Sequence, residues 1–169
     1  YSPPHAPLDP QLPYWHLDPA AALPRAIPQT TIIHNHAGLP GTRDRESLTP
    51  WRNAMELLSL EPNTAAKISG LGQPGEPWTA ASNYNVVRDT ISIFGVNRCM
   101  FGSNFPVDRL CATFDQIYRG FSEIVCDYRE QDCDKLFRSN AAAYYRMSLY
   151  MQDTLYRLSL IQISEPTRP

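Results

Sequence analysis

Two histidines stand where a short apolar run ends, in Thr30-Thr31-Ile32-Ile33-His34-Asn35-His36. An imidazole at the carboxy-terminal end of a buried parallel strand faces the open end of an α/β fold, where it can bind a metal or polarise a carbonyl. The plainer alternative is a histidine that only hydrogen-bonds the loop after it. Side chains two residues apart share a strand face, so His34 and His36 form a candidate ligand pair, with His36 the stronger member. Lys67 and Ser69 have the same spacing on a second run, followed by Gly70-Leu71-Gly72. Lys67 suits a substrate carboxylate or, equally, a neighbouring carboxylate of the protein itself. The glycines permit a tight turn or close approach to a ligand, but they lack the spacing of a phosphate loop, so no nucleotide cofactor is expected. In the third run, Arg98-Cys99-Met100-Phe101-Gly102-Ser103 leads directly into Asn104-Phe105-Pro106-Val107-Asp108. Asn104 can orient a water or substrate but cannot act as a general base; Asp108 can, unless it caps the helix that follows. Trp15, His16 and Arg43 complete the candidate substrate contacts. Arg43, with Asp44 and Arg45 in the loop after His36, either meets an anionic substrate or belongs to a solvated charge cluster. Trp78 is expected in a lid over the site, and Trp51 in helix packing.

The elements that position these residues follow from periodicity. Residues 30–35, 64–69 and 98–103 are short apolar or β-branched runs bounded by Gly, Pro or Asn, which predicts buried strands. Their ends at His36, Ser69 and Ser103 lie 33 and 34 residues apart, the length of one strand, one helix and two connections. That rhythm predicts βα units with a parallel sheet; a solenoid shares the period, but no side-chain signature repeats. Thr49-Pro50 predicts a cap and first turn for a helix with Trp51, Ala54, Met55 and Leu58 on one face. Val86, Val87, Thr90, Ile91 and Phe94 form a second stripe closed by Gly95, and Phe114, Ile117, Phe121, Ile124 and Val125 a third that starts at Thr113. Residues 11–18 read as the end of one more strand and its loop, with Asp18 capping a helix through about Ile27 that Pro24 interrupts.

Bulk properties narrow the function classes. Among 169 residues, 15 Lys and Arg against 17 Asp and Glu leave a net charge of −2, no footprint for nucleic acid. No apolar run has the length of a membrane span, and the first residues lack the pattern of a signal peptide. Cys99, Cys111, Cys126 and Cys133 show neither a CxxC pair nor metal-ligand spacing, as expected for reduced thiols of a cytoplasmic protein. Proline enrichment predicts a poorly ordered segment over residues 1–10, ahead of one domain over 11–147. Residues 148–169 have no cap, glycine or clear destination and read as tail sequence from read-through or an adapter, outside the fold.

Four segments in order, His34-Asn35-His36-Ala37-Gly38-Leu39-Pro40, Lys67-Ile68-Ser69-Gly70-Leu71-Gly72, the run from Arg98 to Asp108, and Asn140-Ala141-Ala142-Ala143-Tyr144-Tyr145-Arg146, resemble the amidohydrolase-related proteins. This branch of the amidohydrolase superfamily includes lactonases and metal-dependent hydrolases, and the resemblance covers residues 8–147. It implies an α/β fold that is the C-terminal half of a (β/α)8 TIM barrel, units five to eight, since a complete barrel takes about 250 residues. His36 then matches the sixth-strand histidine, whereas position 34 is usually aliphatic and the metal-binding His-x-His belongs to a first strand that this chain does not contain. Asn104 departs from the aspartate of many members, although some lactonase-like sequences share the Asn-Phe-Pro-Val-Asp form. The implied activity is hydrolysis of a small lactone or related C–O or C–N bond by activated water, with a divalent metal such as zinc or with none. Metal-dependent decarboxylation is the alternative, and a half barrel alone is expected to be inactive. The expected partner is a small-molecule substrate, with self-association through exposed barrel edges.

Overall fold

The computed structural model describes residues 6–17 and 22–147, and for Arg45 only the backbone. Asp18 and the tail over 148–169 lie outside the described residues. Ahead of the sheet comes a short helix, α1 (Ala22–Ala26). The three apolar runs are strands, β1 (Ile32–His34), β2 (Thr64–Ile68) and β3 (Cys99–Phe101), in one parallel sheet of order β1-β2-β3. His34 lies opposite Ala66, Ala66 opposite Cys99, and Ile68 opposite Phe101. Parallel neighbours need crossover connections, which α2 (Arg45–Ser59) and α3 (Ala80–Phe94) supply, and α4 (Phe114–Ile124) follows β3. The alternation of strand and helix is therefore as the spacing predicts. A short α5 (Glu130–Asp134) and α6 (Asn140–Tyr144) complete the described chain.

Both sheet faces are covered, which is why the strands are apolar throughout rather than alternating. Ala66, Ile68, Cys99 and Phe101 pack in one core with Trp51, Met55, Val86, Val87, Ile117 and Phe121 of the helices. On the opposite face, Ile33, Ala65 and Met100 are covered by Ala141, Tyr144 and Tyr145. Asn140 fixes that cover by donating from Nδ2 to the carbonyls of Val96 and Cys99, both at 2.7 Å. Thr79 with Ser82, and Thr113 with Gln116, form reciprocal capping boxes that start α3 and α4.

Three expectations change. The neighbour of β1 is not residues 11–18, where Tyr14–His16 forms a 3-10 turn, but residues 8–10. Leu8 N–H donates to the Thr31 carbonyl at 2.9 Å, Ile33 N–H to that of Leu8 at 2.8 Å, and Asn35 N–H to that of Pro10 at 3.1 Å. Proline fits there because an edge position asks Pro10 only for its carbonyl, so part of the proline-rich segment is tied to the sheet. The first long helix starts a turn before Thr49-Pro50, because the Asp44 carboxylate accepts from Ser47 N–H at 2.8 Å; Pro50 sits inside it and forfeits one helical hydrogen bond. Trp78 belongs to the core and not to a lid: it is 6% exposed, with its ring edge-on to Phe121 at 5.2 Å. Among the described residues, no helix is long and apolar enough to cross a membrane.

Gly120, on the buried side of α4, gives a test of that core. Alanine normally stabilises a helix interior by about 1 kcal/mol relative to glycine. Here a Cβ would lie 2.8 Å from Cη2 of Trp78, so the rigid indole would have to move. Gly120→Ala is expected to lower stability by about 1–3 kcal/mol in urea denaturation. An unchanged or raised midpoint would show that Trp78 does not pack against this helix.

Candidate active site

The chain leaves β1 through a left-handed turn. His36, Ala37, Gly38 and Leu39 all have positive φ, between 48° and 70°. Three of them carry a Cβ, a conformation that costs about 1–2 kcal/mol per residue unless the surroundings enforce it. Several contacts do so. Trp51 Nε1–H donates to the Ala37 carbonyl at 2.7 Å, and Leu39 N–H to that of His36 at 2.8 Å. Gly38 lies so close to α2 that a Cβ there would be 2.9 Å from Met55 Sδ. Trp51 is thus in helix packing as expected, and it also anchors the turn that carries the histidine.

This turn lays the His36 ring against the end of β2. Its Nδ1 is 3.0 Å from Ser69 Oγ, and a Cβ on Gly70 would lie 2.7 Å from His36 Cγ. Gly70 is also at φ +60°, which favours glycine on a second count. Among the described residues no hydrogen bond engages His36 Nε2. Burial pulls the imidazole pKa below its ordinary 6.5, opposed by the Asp108 carboxylate and reinforced by the Lys67 ammonium. His36 is therefore neutral at neutral pH.

Asp108 faces the same loop from β3. Its Oδ1 accepts from Asn104 Nδ2 at 2.8 Å and its Oδ2 from Gly72 N–H at 3.3 Å, with the residue 6% exposed. The alternative role of helix cap falls to Thr113, whose Oγ1 accepts from Gln116 N–H at 3.2 Å. Asn104, itself left-handed at φ +53°, holds the carboxylate in place. Ser69 and Lys67 share one side of β2, since a Cβ on Gly102 would meet Ser69 Cβ at 3.3 Å and Lys67 Cδ at 3.5 Å. Lys67 Nζ donates to Asp9 Oδ2 at 3.0 Å, and Tyr145 Oη donates to the same oxygen at 2.7 Å. Residue types alone do not reveal Asp9 or Tyr145, which come from opposite ends of the described chain; the only signal is that Lys67, inside an apolar strand, needs a counter-charge.

Among the described residues, none of the other candidates bonds directly to a member of this group. His34 shares the helix-covered face with Ala66 and Cys99, so the left-handed turn breaks the period that would have paired it with His36. It is 2% exposed, and neither ring nitrogen has a hydrogen-bond partner among the described residues. Burial pulls its pKa down to about 4. Trp15 is 62% exposed, edge-on to Tyr14 at 5.1 Å and beside His16, which is also exposed. The Arg43 guanidinium is half-buried and bonded to protein oxygens, including the Leu71 carbonyl at 2.9 Å.

The family model described as Amidohydrolase matches residues 5–147. The chain belongs to the amidohydrolase family. An L-fucono-1,5-lactonase of Burkholderia ambifaria is 31% identical over 143 residues, which cover 78% of this chain and 47% of the lactonase. The uncharacterized protein y4mH of Sinorhizobium fredii is 40% identical over 139 residues, 82% of this chain and 46% of that protein. Among solved structures, a zinc-bound amidohydrolase from Burkholderia multivorans superposes with a TM-score of 0.74 at 22% identity, over 83% of this chain and 52% of that one. The chain thus spans about half the length of the curated relatives it matches.

A metal is bound in that amidohydrolase structure, so the donor set of this chain needs a direct test. Among the described residues no group of three His, Cys, Asp or Glu side chains comes together. His36 Nδ1 is directed at Ser69, both Asp108 oxygens accept hydrogen bonds, and His34 is on the other face of the sheet. These residues by themselves do not fit a metal centre.

The buried His34 makes stability depend on pH. Its folded pKa of about 4 lies below the ordinary 6.5, so the unfolded chain binds the extra proton between these values. The stability is complete above pH 6.5 and is lost as pH falls through that window, by about 2 kcal/mol at pH 5. Urea midpoints compared at pH 7.5 and pH 5 are expected to show this loss, and His34→Leu to remove it. The same pH dependence in the variant would contradict the assignment.

Proposed function

We propose that the full-length barrel containing this chain hydrolyses a small lactone, and that this chain supplies the C-terminal half of its (β/α)8 barrel, units five to eight. The single observation that carries the reading is the His36 imidazole, neutral, fixed by Ser69 and Gly70, and with Nε2 free of any hydrogen bond among the described residues. The match to an L-fucono-1,5-lactonase over about half of that enzyme supports the substrate class.

The chemistry follows from the groups present. With the Ser69 hydroxyl donating to Nδ1, His36 carries its proton on Nε2 and donates it as a hydrogen bond to the lactone carbonyl oxygen. Water attacks the polarised carbon and Asp108, oriented by Asn104 and Gly72, takes its proton. The tetrahedral intermediate collapses with cleavage of the ring C–O bond, and the leaving alkoxide recovers that proton from Asp108. The product is an open hydroxy acid, whose carboxyl group loses its proton to solvent, and the Lys67 ammonium, held by Asp9, meets the resulting carboxylate. Trp15 and His16, exposed on the turn after residues 8–10, are rim contacts for the same substrate in this reading. Metal-dependent decarboxylation is the second reading, and carbon dioxide release together with zinc in the full-length protein would favour it.

In the full-length protein, His36→Gln and Asp108→Asn are each expected to lower kcat/KM for a sugar lactone about 100-fold or more. Wild-type activity requires neutral His36, so it holds above pH 6.5 and falls on an acid limb below that value. A chelator is expected to leave hydrolysis unchanged, and this chain alone to show none. His36→Gln within threefold of wild type would refute the mechanism.

A further inference from the structure

Arg43 makes an unusual set of bonds. Its Nε–H and one Nη2–H reach Asn83 Oδ1 at 3.3 and 3.1 Å, and Nη2 also donates to the Leu71 carbonyl at 2.9 Å. Nη1 donates to the carbonyls of Pro40 at 3.2 Å and Gly41 at 2.7 Å. A guanidinium has five N–H donors, so all of them are used and none remains for an anionic ligand. Among the described residues no carboxylate pairs with it, which also sets it apart from a solvated charge cluster. Its acceptor on α3 is equally constrained: Asn83 is 2% exposed, and its Nδ2 donates to the Thr79 carbonyl at 3.1 Å, which fixes the amide oxygen toward Arg43.

The acceptors matter for where they lie in the chain. Pro40 and Gly41 directly follow the left-handed turn that presents His36. Leu71 stands between Gly70, against which the His36 ring lies, and Gly72, whose N–H holds Asp108. One planar, rigid cation thus ties the loop that carries the histidine to the loop that seats both it and the carboxylate, and moors both on α3. Lysine has three donors around a single point and cannot reproduce this fork.

We propose that Arg43 is a positioning residue for the hydrolytic site, a clamp between the loops after β1 and β2 that sets the relation of His36 to Asp108. The inference rests on the roles proposed above for those two residues. It reassigns Arg43 from substrate contact to support, and it predicts which rate parameter responds.

Two readouts test it. In this chain, Arg43→Lys is expected to speed amide exchange at Gly72 tenfold or more while the buried β2 amide of Ile68 changes less than threefold. In the full-length enzyme the same variant is expected to lower kcat at least tenfold with KM within threefold. Unchanged exchange at Gly72, or equal acceleration at Ile68, would overturn the clamp whatever the substrate proves to be. A raised KM at unchanged kcat would overturn it by making Arg43 a substrate ligand. Faster Gly72 exchange in the variant, in a wild-type protein that hydrolyses no lactone, would support the clamp and sink the hydrolytic reading alone. Should Arg43→Lys fail to fold, Asn83→Ser removes the mooring on α3 and is read by the same criteria.

Discussion

The His36 ring can lie against the end of β2 only because Gly70 has no side chain. A Cβ at that position would overlap the imidazole, and its backbone is left-handed. The rest of the site follows from that approach. It brings Nδ1 to the Ser69 hydroxyl, leaves Nε2 as the face of the ring available to a ligand, and half-buries the imidazole so that its neutral form is favoured. The approach also demands four consecutive positive φ angles after β1, and the strain is borne by contacts to α2, chiefly the Trp51 indole bonded to Ala37. A helix read from its stripe as packing is therefore part of the apparatus that holds the histidine.

The glycines of the β2 loop serve two walls of the site at once. Gly70 receives the histidine from β1, and Gly72 donates to the carboxylate from β3. Charge is distributed accordingly: Asp108 and Lys67 act on His36 in opposite directions, and burial outweighs both. A neutral imidazole beside an oriented carboxylate suits polarisation of a carbonyl and removal of a proton from water. The parallel order of β1, β2 and β3 puts these strand ends together.

Much of this was legible in the sequence, for physical reasons that differ from residue to residue. The strands and their 33- and 34-residue spacing were readable because parallel strands buried on both faces are uniformly apolar and bounded by turn residues. Thr113 marks the start of α4, where it caps reciprocally with Gln116, whereas the matching cap that Thr79 gives α3 was not read. Thr49-Pro50 misled because a cap signal is local: Asp44 provides a competing one a turn earlier, and the helix tolerates Pro50 where its α2 face still buries Trp51. Period-two reasoning placed His34 beside His36, but it holds only while the backbone stays extended, and the turn at His36 ends that. Asp9 was hidden by its prolines, which suggest disorder yet suit a sheet edge. Neither Tyr145 on Asp9 nor the five-bond setting of Arg43 follows from residue type, since both arise from contacts distant in the chain.

The proposed chemistry requires a neutral His36 whose Nδ1 accepts from Ser69 and whose Nε2 carries the proton. Nitrogen-15 NMR of the imidazoles in this chain, recorded across a pH titration, reads tautomer and pKa together. The Nε2–H tautomer is expected for His36, titrating below 6.5. An Nδ1–H tautomer, or titration at or above 6.5, would contradict it.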